Sequence, residues 1–498
     1  TARATDVYVL KGGARETYAP RFTQHGFRYA EVRGYPGELT AEDVTACVVH
    51  TDFDEVGAFA CSSELFNDIR TITRRSILGN SMSIPTDCPQ RGERMGWLGD
   101  VHLVVEPTLH LFDACAWYES YLRSIADEQN EDGTIPDTVP HYMFGEKDGS
   151  PAWAVCYPLL TWYLYRYCGD ERVVRQHYPN IVRWFETLER EAEGHLLEKA
   201  MYGDWVGVEG TPGPIIASGV YYWTADVLAE FARFLERDAD AARFEQRKTG
   251  IAEAFNRELY DAERGCYGNG SQFSQVWPLY LGIVPEERKA GTLAHLRTEI
   301  VDHRGGHLAT GILGTKYLFD VLSDHGLGEL AYTVAMQEDY PGWGYMLKMG
   351  ATTLWERWEY MTGRDMNSHN HQMYGSIAGW FFDEVAGIQA LPEPGYRHFV
   401  IAPLPAKQLD SASAHTHTVA GPIRVDWQRE DGLFTLEAEV PPNTTARVVL
   451  PVNGAQVTMN GEAAGQQTEF DVGSGQYKWT AADKRDTEQK AAASCRTP

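Results

Sequence analysis

The densest run of reactive side chains lies between Ile84 and Asp100, IPTDCPQRGERMGWLGD, where Asp87, Arg91, Glu93, Arg94, Trp97 and Asp100 fall within fourteen positions. The run is too polar for a core helix. Pro85, Pro89, Gly92, Gly96 and Gly99 read as a structured loop that a rigid scaffold can aim at a ligand. Carboxylates, a guanidinium and an indole together suit a sugar. Carboxylates accept bidentate hydrogen bonds from vicinal hydroxyls, an indole face covers the apolar side of a pyranose, and one protonated carboxyl can donate to a leaving oxygen. A surface loop tied by an Arg–Asp ion pair would have the same composition, so composition leaves the two readings even.

A second cluster, GATTLWERW over residues 350–358, sets Glu356 between Trp355 and Trp358 at the start of a helical stretch. Thr353 and Glu356 fit a capping box, in which the glutamate merely satisfies a backbone donor. Flanking tryptophans would instead desolvate the carboxylate and raise its pKa, which suits a general base, with Glu359 the rival for that role. Trp153 in SPAW, Trp205 in YGDW and Trp343 in PGWG stand beside turn residues. Single tryptophans are usually core, but several in loops point to a carbohydrate cleft. His371 in NSHNHQMYG can donate to a sugar hydroxyl, and His369 is a weaker copy of it; a lone histidine is more often structural.

Periodicity supplies the elements that must hold these groups. Val7 and Val9, Phe27 and Tyr29, and Val44, Ala46 and Val48 alternate at period two, which assigns residues 1–58 to the end of an N-terminal β-sandwich. Thr1 in place of Met, with strand pattern beginning at Thr5, leads us to expect that an upstream segment has been removed or omitted. From 59 to 392 helical segments of about 12 to 20 residues alternate with Gly, Pro and Asp clusters. Ile181, Phe185 and Leu188, then Leu228, Phe231 and Leu235, fall on single helical faces. About a dozen such segments in pairs suit a toroid of six helical hairpins, an (α/α)6 barrel, whose loops carry the chemistry. An α-solenoid fits the count less well, because no fixed-period repeat is visible. Pro392, Pro394, Pro403 and Pro405 precede a C-terminal antiparallel β-sandwich over 393–480, in which Ile423, Val425 and Trp427 alternate with polar residues and Asn460-Gly461 predicts a type I′ turn. Residues 481–498 read as a disordered tail. The fold class is therefore multidomain and mainly α.

The 498 residues carry 70 acidic against 44 basic side chains, a net charge of -26, which argues against nucleic acid or an anionic membrane as a partner. No stretch approaches the roughly 18 apolar residues of a membrane span, and no signal-like N-terminus is present. The eight cysteines show neither C-x-x-C nor metal-ligand spacing and read as free buried thiols, which favours a reducing compartment while leaving the periplasm open. G-x-S-x-G, H-E-x-x-H, Walker A and G-x-G-x-x-G patterns are all missing, so serine hydrolase, zincin and nucleotide chemistry lack support.

With these residues in view, the chain resembles the bacterial α-L-rhamnosidases of glycoside hydrolase family 78 over nearly its whole length. DCPQRGERMGWLGD looks like the family signature DCPQR-x-ER-x-GW-x-GD, supported by GATTLWERW and by RFTQHGFRYAEV near the start. The resemblance implies an inverting α-L-rhamnosidase with Glu93 as general acid and Glu356 as the base that activates water. It places Asp87, Arg91, Trp97 and Asp100 on the rhamnose ring, with Trp153, Trp205 and His371 as further contacts. It implies no cofactor and no metal, a rhamnose-containing glycoside or polysaccharide as partner, and is compatible with a homodimer. Two departures stand out: Gly92 occupies a position where family members often carry an acid, and Ala154-Val155 follow PAW where Gly-Asp is common. The modules that often precede the barrel are absent, which leaves aglycone recognition and targeting open. The competing readings are a toroid glycosidase or phosphorylase for another sugar, and a non-catalytic carbohydrate-binding protein. An acid and a base on separate loops argue against mere binding.

Overall fold

The computed structural model describes residues 4–13, 15–363 and 366–483. Strand β1 (Ala58–Cys61) leads into helix α1 (Glu64–Gly79), the hairpin β2 (Ser81–Met82) and β3 (Ile84–Pro85), and helix α2 (Leu98–Leu111). Helices α3 (Cys115–Glu128), α4 (Pro151–Ala154), α5 (Cys156–Cys168), α6 (Glu171–Glu191), α7 (Gly213–Phe234) and α8 (Asp238–Glu258) follow. The strand pair β4 (Tyr260–Asp261) and β5 (Cys266–Tyr267) then precedes α9 (Gln272–Tyr280), α10 (Glu286–Thr298), α11 (Ile312–Asp324), α12 (Gly328–Ala335), α13 (Trp343–Lys348) and α14 (Ile377–Trp380).

Burial sorts these helices into two rings. In α2 every residue except Glu106 is buried, and α5, α7, α9 and α11 are buried almost all round, so they read as apolar on every face. In contrast α6 buries one stripe, including Val174, Ile181, Phe185 and Leu188, and starts on Asp170, whose side chain accepts from the Arg172 N–H. The inner elements touch in the order α2, α5, α7, α9, α11 and the helical segment Met373–Trp380, and the last returns to α2. That closure makes a six-hairpin toroid and rules out an open solenoid.

The ring encloses charge as well as hydrocarbon. Lys316 on α11 donates to Glu106 on α2 at 2.8 Å, Tyr167 donates to the other Glu106 oxygen, and His110 lies 3.0 Å from Asp383. Burial alone would raise the Glu106 carboxyl, but the Lys316 ammonium outweighs it and holds it below the usual range.

Beyond the ring, β6 (Ile388–Ala390), β7 (His398–Ile401), β8 (Ser411–Thr418), β9 (Gly421–Glu430), β10 (Leu433–Val440), β11 (Thr445–Val449), β12 (Val457–Met459), β13 (Glu462–Gly465), β14 (Glu469–Val472) and β15 (Gly475–Ala482) build two sheets. One runs β1-β8-β9-β10-β15-β12-β13 and the other β14-β11-β7-β6. Pairing is antiparallel apart from β7 with β11, which three strands of the opposite sheet separate in the chain. Asn460 and Gly461 both take positive φ, 52° and 84°, as the type I′ turn requires.

The described residues before Ala58 contain no strand, and Val7, Val9, Phe27 and Tyr29 are 58–88% exposed. Other expectations are corrected. Ala58 pairs instead with His415 of the C-terminal sheet, and β6 joins the opposite sheet before residue 392. The tail expected over 481–498 lies outside the described residues from 484 onward, whereas Ala481 is buried in β15 between Phe434 and Val457. Cys115 and Cys168 are not free thiols: they form a disulfide between the start of α3 and the end of α5. Spacing could not have announced it, since 53 residues separate the two. No described helix is long and apolar enough to cross a membrane.

Lys316→Met would leave Glu106 buried and uncompensated, and should cost about 3–5 kcal/mol of stability in denaturant unfolding. The double substitution with Glu106→Leu should recover most of that loss; a single variant as stable as the parent would remove the pair from the account.

Candidate active site

The hairpin β2–β3 and the first turn of α2 hold the motif loop between them. Asp87 is pinned by its own backbone ladder to Met95, and its Oδ1 accepts from the Met95 N–H at 2.7 Å, while Oδ2 is buried with no hydrogen-bond partner. Burial is the main cause that lifts the Asp87 carboxyl to about 7; Glu93 and Asp100 add to the rise and His371 opposes it. The loop reading of Ile84–Asp100 stops short at its end, since Leu98–Asp100 already form the first turn of α2, which points Asp100 inward at 5% exposure. Gly99 is obligatory there, because a Cβ would collide with the Trp153 indole.

Glu93 and Glu356 meet through Arg91. Nη2 of Arg91 lies 3.0 Å from Glu93 Oε2 and Nη1 lies 3.1 Å from Glu356 Oε2. The remaining Glu93 oxygen accepts from Trp97 Nε1 at 2.7 Å. Glu356 does not begin a helix: residues 351–363 and 366–372 carry no helical turn, and Thr353 donates to the His369 carbonyl, so the capping-box reading fails. Instead the Glu356 carboxylate accepts from Asn367 Nδ2 at 2.8 Å and from the Ser368 N–H at 3.0 Å, and is 5% exposed. The rival Glu359, its side chain 40% exposed, pairs with Arg357.

His371 joins the two halves. Its Nε2 donates to Asp100 at 2.6 Å, and its Nδ1, without a hydrogen-bond partner, lies 3.7 Å from Glu356 Oε2. Burial alone would lower the imidazole, but Asp100, with Glu356 and Asp87 behind it, raises it to about 9.

An aromatic wall flanks these charges. Trp97, Trp153 and Trp205 all pack on Tyr202, with ring centroids at 5.8, 4.6 and 6.3 Å. Trp205 is 37% exposed, Trp153 is buried, and Trp343, Trp355 and Trp358 are core residues stacked among their neighbours. His369 stacks on Trp355 and does not reach the carboxylates. Sequence reasoning missed Tyr202, the hub of this wall, although it stands three positions before Trp205 in YGDW. Its hydroxyl donates to Asp137 at 2.6 Å, and Asp137 also accepts from the N–H groups of Glu146 and Ser150. Asp204, also missed, accepts from the N–H groups of Gly311, Leu313 and Gly314 at the start of α11 and so anchors the Trp205 loop. Residues 24–26 brace the motif loop from outside: Arg94 donates to the Gln24 carbonyl at 3.3 Å, and Gly26 lies against Gln90.

Donor atoms of Asp87, Cys88 and Glu93 lie within 4.8 Å of one another, a grouping that could accept an ion. Glu93 is already engaged by Arg91 and Trp97, and burial raises the Cys88 thiol far above its ordinary value.

A family model described as the bacterial α-L-rhamnosidase six-hairpin glycosidase domain matches residues 54–385. The chain belongs to this family. Models for the rhamnosidase C-terminal domain and concanavalin-like domain match residues 387–465 and 1–50. An α-L-rhamnosidase from Streptomyces avermitilis is 34% identical over 96% of this chain and 47% of its own length. One from Formosa agariphila is 30% identical over 92% and 51%. The chain thus spans about half the length of the curated relatives it matches. The solved α-L-rhamnosidase from Dictyoglumus thermophilum superposes with a TM-score of 0.89 at 37% identity, covering 93% of this chain and 55% of that one. The Streptomyces avermitilis structure in complex with L-rhamnose gives 0.88 at 34%, covering 95% and 46%. The resemblance of the chain to the bacterial α-L-rhamnosidases is thereby borne out.

Because His371 gains its carboxylate partners on folding, it stabilises this rhamnosidase-family fold fully below pH 6.5, and that contribution is lost as pH rises through about 9. Thermal unfolding midpoints should fall across that window, and His371→Gln should flatten the fall. An equally steep fall in the variant would remove the imidazolium from the explanation.

Proposed function

We propose that the protein is an inverting α-L-rhamnosidase that hydrolyses terminal non-reducing α-L-rhamnosyl residues from glycosides or polysaccharides. The observation that carries the reading is Arg91 bridging Glu93 and Glu356, two carboxylates on separate loops at one buried, aromatic-walled cleft. Glu93 is the general acid and Glu356 the base. Three donors hold Glu356 in place, which fits a group that orients a water rather than one that attacks the sugar. The pair is separated by a guanidinium instead of touching, in keeping with the about 6.5 to 9.5 Å spacing that inversion needs to admit that water.

Asp87 and Asp100 accept sugar hydroxyls, His371 donates from its free Nδ1, and Trp97, Trp153 and Trp205 cover the apolar ring face. Arg91 turns from Glu93 toward the sugar as it binds, releasing the acid to carry its proton. No cofactor takes part.

Glu93→Gln should lower kcat by roughly 10²–10⁴ on an alkyl α-L-rhamnoside. The loss should be smaller on the 4-nitrophenyl glycoside, whose leaving group needs little proton assistance; Glu356→Gln should lose both alike. Proton NMR of the first-formed sugar should show the β-anomer. Retention of the α-anomer would sink the inverting assignment, and turnover of α-D-glucoside or β-D-galactoside in preference to rhamnoside would sink the substrate.

A further inference from the structure

The segment Pro140–Gly145, PHYMFG, presents three consecutive apolar side chains to solvent: Tyr142 at 81%, Met143 at 58% and Phe144 at 44% exposure. Runs of exposed apolar residues lower solubility and are retained where something is bound. This run is not a loose tip. Asp137 accepts from the N–H groups of Glu146 and Ser150 at 2.8 and 2.6 Å, Thr138 donates to the Phe144 carbonyl at 3.0 Å, and Asn130 donates to the Lys147 carbonyl at 2.9 Å. The loop is therefore held in one shape from both ends.

Its position gives it a partner. Thr138 bridges Trp97, and Gly145, at φ +87°, runs so close to the Trp97 ring that a Cβ would lie 3.3 Å from Cζ3. Trp97 in turn donates to Glu93. The apolar run thus continues from the residue that holds the acid. In glycoside cleavage the acid stands at the glycosidic oxygen, with the sugar on one side and the leaving group on the other. The sugar side is furnished with Asp87, Asp100 and His371. Between Pro140 and Gly145 there is no carboxylate or side-chain amide: the His141 imidazole meets Thr138 through Nδ1 at 3.3 Å, and the exposed face is made by two aromatic rings, one bearing the Tyr142 hydroxyl, and a thioether.

Resting on the rhamnosidase reading above, we propose that Tyr142, Met143 and Phe144 form the leaving-group subsite and that it selects glycosides with a planar, apolar aromatic aglycone.

The test compares benzyl and methyl α-L-rhamnosides, whose leaving alcohols are of similar acidity and differ in the ring alone, with the full chain and its Tyr142→Ser/Phe144→Ser variant. The wild type should favour the benzyl glycoside by about tenfold or more in kcat/KM. The variant should lose most of that preference through KM, leaving methyl rhamnoside turnover and inhibition by free rhamnose within about twofold. An equal loss on both glycosides, or none on either, would overturn the subsite. Absence of turnover of both by the wild type would overturn the rhamnosidase reading and this inference with it.

Discussion

One guanidinium between two carboxylates is the constraint from which the rest of the molecule can be understood. Glu93 and Glu356 bring like charges to one side chain, Arg91. Arg91 offsets their repulsion, its planar fork presenting one amino group to each carboxylate. Arg91 and Glu356 lie 265 residues apart, so they meet only because the ring closes and sets α2 beside the segment Met373–Trp380. Closing the toroid and assembling the carboxylate pair are one requirement.

The balance inside the cleft is acid-rich, with Asp87, Glu93, Asp100 and Glu356 against Arg91 and His371. In surroundings walled by Trp97, Trp153 and Tyr202, such an excess favours a retained proton, and Asp87, lifted to about 7, shows where part of that tension falls. The aromatic wall is itself hung on charges: Tyr202 on Asp137, and the Trp205 loop on Asp204 at the start of α11.

Much of this is legible in the sequence, for definite reasons. The inner helices read as apolar on all faces and the outer ones on one, and Asn460-Gly461 announces its turn through backbone conformation alone. The motif loop brings Asp87, Arg91, Glu93, Trp97 and Asp100 together through chain proximity, so composition suffices. What is not legible depends on distant partners. The surroundings of Glu356 looked helical because Thr353 and Glu356 have capping spacing, yet Asn367 and Ser368 hold the carboxylate in a loop. Tyr202 is one aromatic residue among many until three indoles are seen on it. Cys115 finds Cys168 only in the folded ring.

Strand β1 opens the helical ring but pairs with β8, Ala58 lying opposite His415. The first strand must wait for a partner more than 350 residues downstream, a contact of very high sequence separation whose loop-closure entropy is met before any reward. On a ribosome adding about 5–20 residues each second, that partner emerges roughly 20 to 70 s after β1. Through that interval β1 offers an open edge, and the half-made ring has apolar inner helices without their neighbours. Demand for chaperones during synthesis, rather than any weakness of the finished fold, is the cost of fastening the start of the barrel to the far sheet.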